Sequence, residues 1–230
     1  MSEDFGRFRT TRWTLFRKVQ ASPEGEAREA LCEIYWRPVY GFFSRAGCQR
    51  AEAEDLTQDF FVKFMARGGF QKVDPEKGRF RNYLLTSARR HLLNAKRAEQ
   101  SKKRGGEVDF VELKESLDAS GGPTPEDVFE FNWAEDLVNR AAHRLRDEWG
   151  EKLETFEMFA PYLTGHSDAP EMAETAAKLG VTLAAAKSAI HRFRKRFGEL
   201  VKAEVRGTLT AEGDEEDELD YLLQLLSKGS

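Results

Sequence analysis

The apolar positions of the chain recur every three or four residues, and no segment shows a convincing alternation of apolar and polar residues. A first apolar stripe, Ala27, Leu31, Ile34 and Tyr35, continues beyond Pro38, which we expect to bend the helix or to start a new turn. A period of 3.6 residues is typical of helices, whereas a period of two is typical of strands. The pattern therefore predicts an all-α protein.

Turn residues divide this helical pattern into two blocks. In the first block, residues 11–104, we predict a helix over 53–65 that ends at the Gly68–Gly69 pair, and a long basic helix over 79–97. Residues 105–125 are rich in Gly, Pro and acids, which predicts an inter-domain linker. The second block is expected at 126–206. Residues 207–230 are expected to form an acidic, amphipathic extension.

The most informative pattern in the second block lies at 171–197. A short helix with inward Ala and Met residues precedes Gly180, which supplies the backbone freedom of a tight turn. Thr182 is a good N-cap for a second helix, in which Ala186, Ile190 and Phe193 share one face. Small, polar and basic residues cover the other faces, as a helix that enters the DNA major groove requires. The spacing predicts a helix-turn-helix.

Charge changes this picture because it is segregated along the chain. The formal net charge is only −4, but 77–104 is strongly basic, 105–136 is acidic, 187–206 is basic and 212–220 is acidic. A polyanion responds to charge within about 10 Å in 0.1 M salt rather than to the total. Two basic helices can therefore bind two stretches of nucleic acid although the molecule is acidic overall.

Several classes of protein are disfavoured by what the sequence lacks. No run of about 18 apolar residues predicts a membrane span, and the start of the chain does not resemble a secretory signal. The two cysteines, Cys32 and Cys48, cannot form a four-thiolate metal site, and no His lies at a metal-binding spacing from another ligand. We expect no metal, no cofactor and no catalytic residues, and we expect a cytoplasmic, non-enzymatic protein.

Both blocks, in this order, resemble the extracytoplasmic-function (ECF) group of sigma-70-type transcription initiation factors. The resemblance covers about residues 11–205, and three segments carry it: Ala53-Glu-Asp-Leu-Thr-Gln-Asp-Phe-Phe61, Phe80-Arg-Asn-Tyr-Leu-Leu85 and the helix-turn-helix. It implies a sigma-2-like domain and a sigma-4-like domain joined by a flexible linker. Its implied partners are core RNA polymerase, through the β′ clamp and the β flap, promoter DNA, and an anti-sigma factor or another regulator.

The resemblance also implies three sets of site residues. Residues expected to bind the polymerase clamp are Asp55, Gln58, Asp59 and Phe61. Residues expected to melt and hold the −10 element are Arg81, Asn82, Tyr83, Arg89, Arg90, Asn94, Lys96 and Arg97. Residues expected to read the −35 element are Thr182, Ala184, Lys187, Ser188, His191, Arg192, Arg194, Lys195 and Arg196.

Two other functions remain open at this point. A stand-alone helix-turn-helix regulator would need only the second block and would commonly act as a dimer on a palindrome. A helical nuclease would need a cluster of carboxylates or histidines around a metal, and the sequence has no obvious one. The extension at 207–230 could act as a solubilising cap, cover a basic surface or bind a partner.

Overall fold

The computed structural model describes residues 25–72, 79–104, 122–163, 170–208 and 215–228. Within these ranges the chain forms helices and turns and contains no strand, which confirms the all-α prediction. The α-helices are α1 (Glu26–Arg45), α2 (Arg50–Ala66), α3 (Phe80–Arg104), α4 (Pro125–Trp149), α5 (Leu153–Phe159), α6 (Met172–Leu179), α7 (Leu183–Arg206) and α8 (Glu215–Lys228). Short 3-10 helices at Gly150–Lys152 and Ala160–Tyr162 flank α5.

The chain divides into two compact units, and the division falls between Asp136 and Leu137, inside α4. The N-terminal unit comprises the described residues up to Asp136 together with α8, and the helix-turn-helix unit comprises the described part of Leu137–Arg206. The expected start of the second domain at residue 126 and the separate extension at 207–230 remain predictions. Most of the expected linker, residues 105–121, lies outside the described residues.

Ion pairs and buried aromatic side chains explain why the first half of α4 belongs to the N-terminal unit. Arg37 on α1 pairs with Asp136 at 2.7 Å and also with Glu135. Phe129 and Trp133 on the same half of α4 are almost completely buried. A segment that buries such large rings gains several kcal/mol of hydrophobic stabilisation, about 25 cal/mol for each Å² removed from water.

The core of the N-terminal unit is a continuous set of aromatic contacts between its helices. Phe43 contacts Phe60 edge-on at 6.3 Å between ring centroids, and Phe64 contacts Phe70 at 5.0 Å. Phe80, at the start of α3, contacts Phe70 and Tyr35. The predicted apolar stripe of α1 is partly buried, with Leu31 and Tyr35 inside. The helix continues through Pro38 without ending there.

The ends of α2 follow local sequence signals. A capping box joins Gln49 and Glu52, so the helix begins three residues before the predicted start at 53. Its C-terminal end meets Gly68, which has a positive φ of 65°. A Cβ atom on Gly69 would lie 2.6 Å from the Phe64 ring, so this tight turn leaves no room for a side chain.

Candidate nucleic-acid and polymerase interfaces

The turn of the predicted helix-turn-helix is held by backbone hydrogen bonds. Gly180 lies in the left-handed region at φ 65° and ψ 30° and ends α6. The Val181 N–H then donates to the Ala176 carbonyl at 3.1 Å, as in a Schellman motif. Thr182 caps α7, since its hydroxyl accepts a hydrogen bond from the Ala185 N–H at 3.2 Å. The path between the two helices is therefore set by Gly180 and Thr182.

An aromatic cluster holds α7 in place from beneath. Phe193 contacts Trp149, Phe156 and Phe159 at centroid distances of 5.3, 5.6 and 5.5 Å. Ile190, one turn earlier on the same face, is also buried. Because these side chains take up the inner face of α7, the opposite face remains available to a partner.

Polar contacts fix α6 in the same unit. The Tyr162 hydroxyl donates to the Pro170 carbonyl at 2.7 Å and lies 2.7 Å from the Thr175 hydroxyl on α6. Both Tyr162 and Thr175 are buried. Buried hydroxyl groups that are satisfied in this way hold the first helix of the motif at a defined position before the turn.

All nine residues expected to read the −35 element are exposed on or next to α7. Eight of them make no ion pair with any other described residue. Arg196 differs, because its guanidinium binds Glu148 at 2.6 Å and Glu199 at 3.0 Å. These carboxylates raise the pKa of Arg196 above its ordinary value. The charge of Arg196 is therefore already compensated within the unit, which the sequence did not reveal.

The residues expected at the −10 element fall into three groups on α3. Asn82, Tyr83, Arg90 and Asn94 are exposed. Arg89, Lys96 and Arg97 are partly buried: Arg89 lies 3.0 Å from Glu126, Lys96 donates to the Ala46 carbonyl at 3.0 Å, and Arg97 also has a contact within the protein.

Arg81 forms the third group, because it is buried and does not lie on the exposed face of α3. Its Nε lies 2.9 Å from Glu130, and two of its nitrogens bind Glu218 on α8. Burial alone would lower the pKa of Arg81, but the carboxylates of Glu130 and Glu218 raise it above its ordinary value. Arg81 is therefore a buried cation and, in this structure, cannot reach a DNA backbone.

A cavity of about 370 Å³ lies between α2, α3 and the turn that follows α2. Four basic side chains line it: Lys63, Arg67, Lys72 and Arg90. Phe64, Tyr83 and Asn94 supply aromatic and amide groups beside them. The sequence analysis singled out only the α3 members, because the cations on and after α2 join them only through the fold.

The residues expected to contact the polymerase clamp are also divided by the structure. Asp55 and Gln58 are exposed, whereas Asp59 is half-buried and binds Lys63 at 2.7 Å. Phe61 is buried and stacks on Trp36 at 5.9 Å.

Two exposed apolar side chains near these residues were missed by the sequence analysis. Val62 on α2 is 55% exposed and Trp36 on α1 is 39% exposed. The helical period of about 100° per residue places Val62 opposite Phe60 and Phe64, so its exposure could have been predicted from the sequence.

The described ranges contain neither a candidate metal site nor a candidate membrane span. No group of three or more His, Cys, Asp or Glu residues could hold a metal ion there. None of the helices in these ranges combines the length and the apolar character needed to cross a bilayer.

Comparison with known proteins identifies the family. A family model described as ECF sigma factor matches residues 43–203, which span parts of both units. No curated protein and no solved structure matches the chain. Proteins of this family are non-enzymatic transcription initiation factors that act with RNA polymerase on promoter DNA. Because the match covers more than half of the chain, this protein belongs to the ECF sigma factor family.

Proposed function

We propose that this protein binds core RNA polymerase in the cytoplasm and directs it to promoters with two elements, one read by each unit. The observation that carries the proposal is the exposed basic face of α7, set on a buried aromatic core within a chain of this family. Its second support is an exposed polar and basic face on α3 in the other unit.

The helix-turn-helix unit is proposed to read the −35 element as a duplex. The major groove is about 12 Å wide and admits one helix. Ala184, Lys187 and Ser188 lie near the start of α7, where recognition helices contact base edges. Arg192, Arg194 and Lys195 lie farther along the helix, where we assign them to phosphates. The unit is also proposed to contact the β flap of the polymerase.

The N-terminal unit is proposed to melt and hold the −10 element. A melted strand needs cations for its backbone and flat groups for its unstacked bases. Arg90, Tyr83 and Asn94 line the cavity together with Arg67 and Lys72, so charge, ring and hydrogen-bonding groups meet there. Arg89, Lys96 and Arg97 are assigned supporting positions, because each already has a contact inside the protein.

The contact with the β′ clamp is assigned to the exposed face of α2. Asp55 and Gln58 supply hydrogen-bonding groups, and Val62 and Trp36 add apolar surface. Phe61 would support this face from beneath by stacking on Trp36, and Asp59 would do so by holding Lys63. An anti-sigma factor that binds the same face would block polymerase, which is a simple route to regulation.

Run-off transcription with bacterial core polymerase tests the proposal. We expect transcripts to start at defined positions on genomic fragments only when the chain is added, and Lys187→Ala with Arg192→Ala to abolish them. Lys152→Ala, which removes an exposed positive charge outside α7, is the matched control. Sequence-specific duplex binding without polymerase, together with no transcripts, would instead support a stand-alone helix-turn-helix regulator.

A further inference from the structure

The C-terminal helix α8 is docked on the N-terminal unit by one turn of its sequence. Glu218 and Leu222, four residues apart and therefore on one face, are both completely buried. Glu218 binds Arg81 through both carboxylate oxygens and lies 2.9 Å from Arg79. The docked face is thus centred on a carboxylate that holds two arginines near the start of α3.

Aromatic rings complete the surroundings of Arg81. Its guanidinium carbon lies 4.2 Å from the centroid of the Trp133 ring and 5.1 Å from that of Tyr221 on α8. Arg81 is therefore in contact with a ring from α4, a ring from α8 and the carboxylates of Glu130 and Glu218. Stacking on bases and paired hydrogen bonds to phosphate oxygens are two of the ways in which Arg binds nucleic acid.

A helix that served only to stabilise the unit would not need a buried carboxylate and an aromatic ring against Arg81. Replacing a buried ion pair by well-packed apolar groups is often neutral or stabilising, so burial of Glu218 is a poor route to stability alone. A carboxylate and an aromatic ring three residues apart on α8, in contrast, offer the same pair of groups as the phosphate and base of a nucleotide. An arginine can bind the carboxylate and the ring of α8 in the same way as it binds the phosphate and the base of a nucleotide.

We propose that Arg79, Arg81 and Trp133 form a binding site for single-stranded nucleic acid, which α8 occupies in the free chain. Glu218 takes the place of a phosphate and Tyr221 takes the place of a stacked base. The inference rests on the proposed role of the N-terminal unit at melted DNA, and it extends that site to the buried start of α3. Arg81 then contacts DNA only after α8 has left.

The charge balance favours replacement of α8 by nucleic acid at this site. With α8 docked, two arginines face two carboxylates, Glu130 and Glu218. When α8 leaves, Arg81 keeps its ion pair with Glu130, and no other ion pair to Arg79 or Arg81 remains among the described residues. The same departure removes five acidic residues and one lysine from the unit. The local potential becomes more positive, which attracts a phosphate backbone and disfavours return of the helix while DNA is bound.

The first test is a titration of full-length and truncated chains, the latter ending at Thr208, with a fluorescein-labelled, mixed-sequence 12-nucleotide single strand. Minor states of two-state equilibria are populated to about 10% or less and the apparent affinity scales with the open fraction, so we expect truncation to tighten binding by about tenfold or more. Two added phosphate contacts should also steepen the salt dependence by about 1.4 log units per log unit of salt. Equal affinities and equal slopes would overturn the inference.

Variants separate the proposed site from a general charge effect. Arg81→Ala in the truncated chain should return the affinity to near the full-length value, and Glu218→Gln in the full-length chain should raise it. Leu223→Ala is the matched control, because Leu223 is on the same helix and 56% exposed, and it should change nothing. An Arg81→Ala chain that keeps the full gain would overturn the inference even if truncation tightens binding.

If the truncated chain folds poorly, hydrogen exchange on the full-length chain provides an independent test. Saturating single strand should reduce the protection of the α8 amides, and protection that stays unchanged would overturn the inference. Run-off transcription by the same chains keeps the two proposals distinguishable. If transcription is normal but the single strand does not reduce the hydrogen-exchange protection of α8, this inference alone is rejected. If the single strand reduces that protection but no transcript forms, only the proposed function is rejected.

Discussion

The exposed cations of α7 allow a quantitative test of DNA binding. Arg194 and Lys195 are exposed and form no ion pair with a described residue, whereas Arg196 beside them is bound to Glu148 and Glu199. Replacing the first two by Ala removes cations that are available to phosphates. Replacing Arg196 removes a cation whose charge is already balanced within the unit.

The expected magnitude follows from counterion release. Each phosphate contact on duplex DNA contributes about 0.9 to the slope of log affinity against log salt. Loss of two contacts should therefore make the slope shallower by about 1.8. Between 50 and 200 mM salt, the unmodified chain should lose about tenfold more affinity than the Arg194→Ala, Lys195→Ala chain.

The assay is fluorescence anisotropy with a labelled 30-base-pair duplex of mixed sequence, at four salt concentrations, with the full chain. Arg196→Ala serves as the matched control and should change the slope by much less than one contact. An unchanged slope in the double variant would refute the assignment of Arg194 and Lys195 to phosphates. If Arg196→Ala changes the slope by as much as the loss of one exposed cation, the argument that ion pairing keeps Arg196 from binding phosphate is refuted.

Three further outcomes follow from other parts of the structure. Phe193→Ala should lower the free energy of unfolding by about 3–5 kcal/mol in thermal melts, whereas exposed Lys187→Ala should leave it unchanged. Asp55→Ala with Gln58→Ala should weaken binding to core polymerase in gel filtration with an unaltered melt, and full affinity would reject the assigned clamp contact. Burial lowers the pKa of His91 below 6.5, so unfolding free energy should fall as pH drops below about 6.5, and His91→Gln should flatten that fall.

The sign of the pH effect follows from proton uptake. Between the lowered pKa of folded His91 and its higher unfolded pKa, the unfolded chain binds more protons, so stability rises with pH in that window. Asp59 favours the protonated ring, whereas Lys63 and Arg67 oppose it, but burial is the largest influence. A melt temperature that is constant from pH 7.5 to 5.5 would contradict this account.

The helix-turn-helix could be predicted from sequence because its determinants are local. Gly180 at the turn, Thr182 at the cap and the spacing of Ala186, Ile190 and Phe193 all act within a few residues of one another. Local signals of this kind depend on backbone conformation and helical period, which short segments already encode. The exposed face of α7 followed directly from them.

The burial of Arg81 could not be predicted in the same way. Its partner Glu218 lies 137 residues farther along the chain, in a segment whose amphipathic pattern is compatible with many docking sites. The sequence pattern of a basic helix face is the same whether that face is exposed to solvent, bound to DNA or packed against an acidic helix. The division of α4 between two units was equally hidden, because a helix whose apolar stripe is continuous from Phe129 to Leu145 does not reveal where its packing partners change.

The construction of α7 has a consequence for how promoter preference can diverge. Its inner face carries the packing with Phe193 and Ile190, while the outward positions make few contacts that folding depends on. Changes at Ala184, Lys187 or Ser188 are therefore close to neutral for folding and can accumulate without loss of protein. Under the proposed role of α7 at the −35 element, gene duplicates built on this scaffold can acquire new target sequences one substitution at a time.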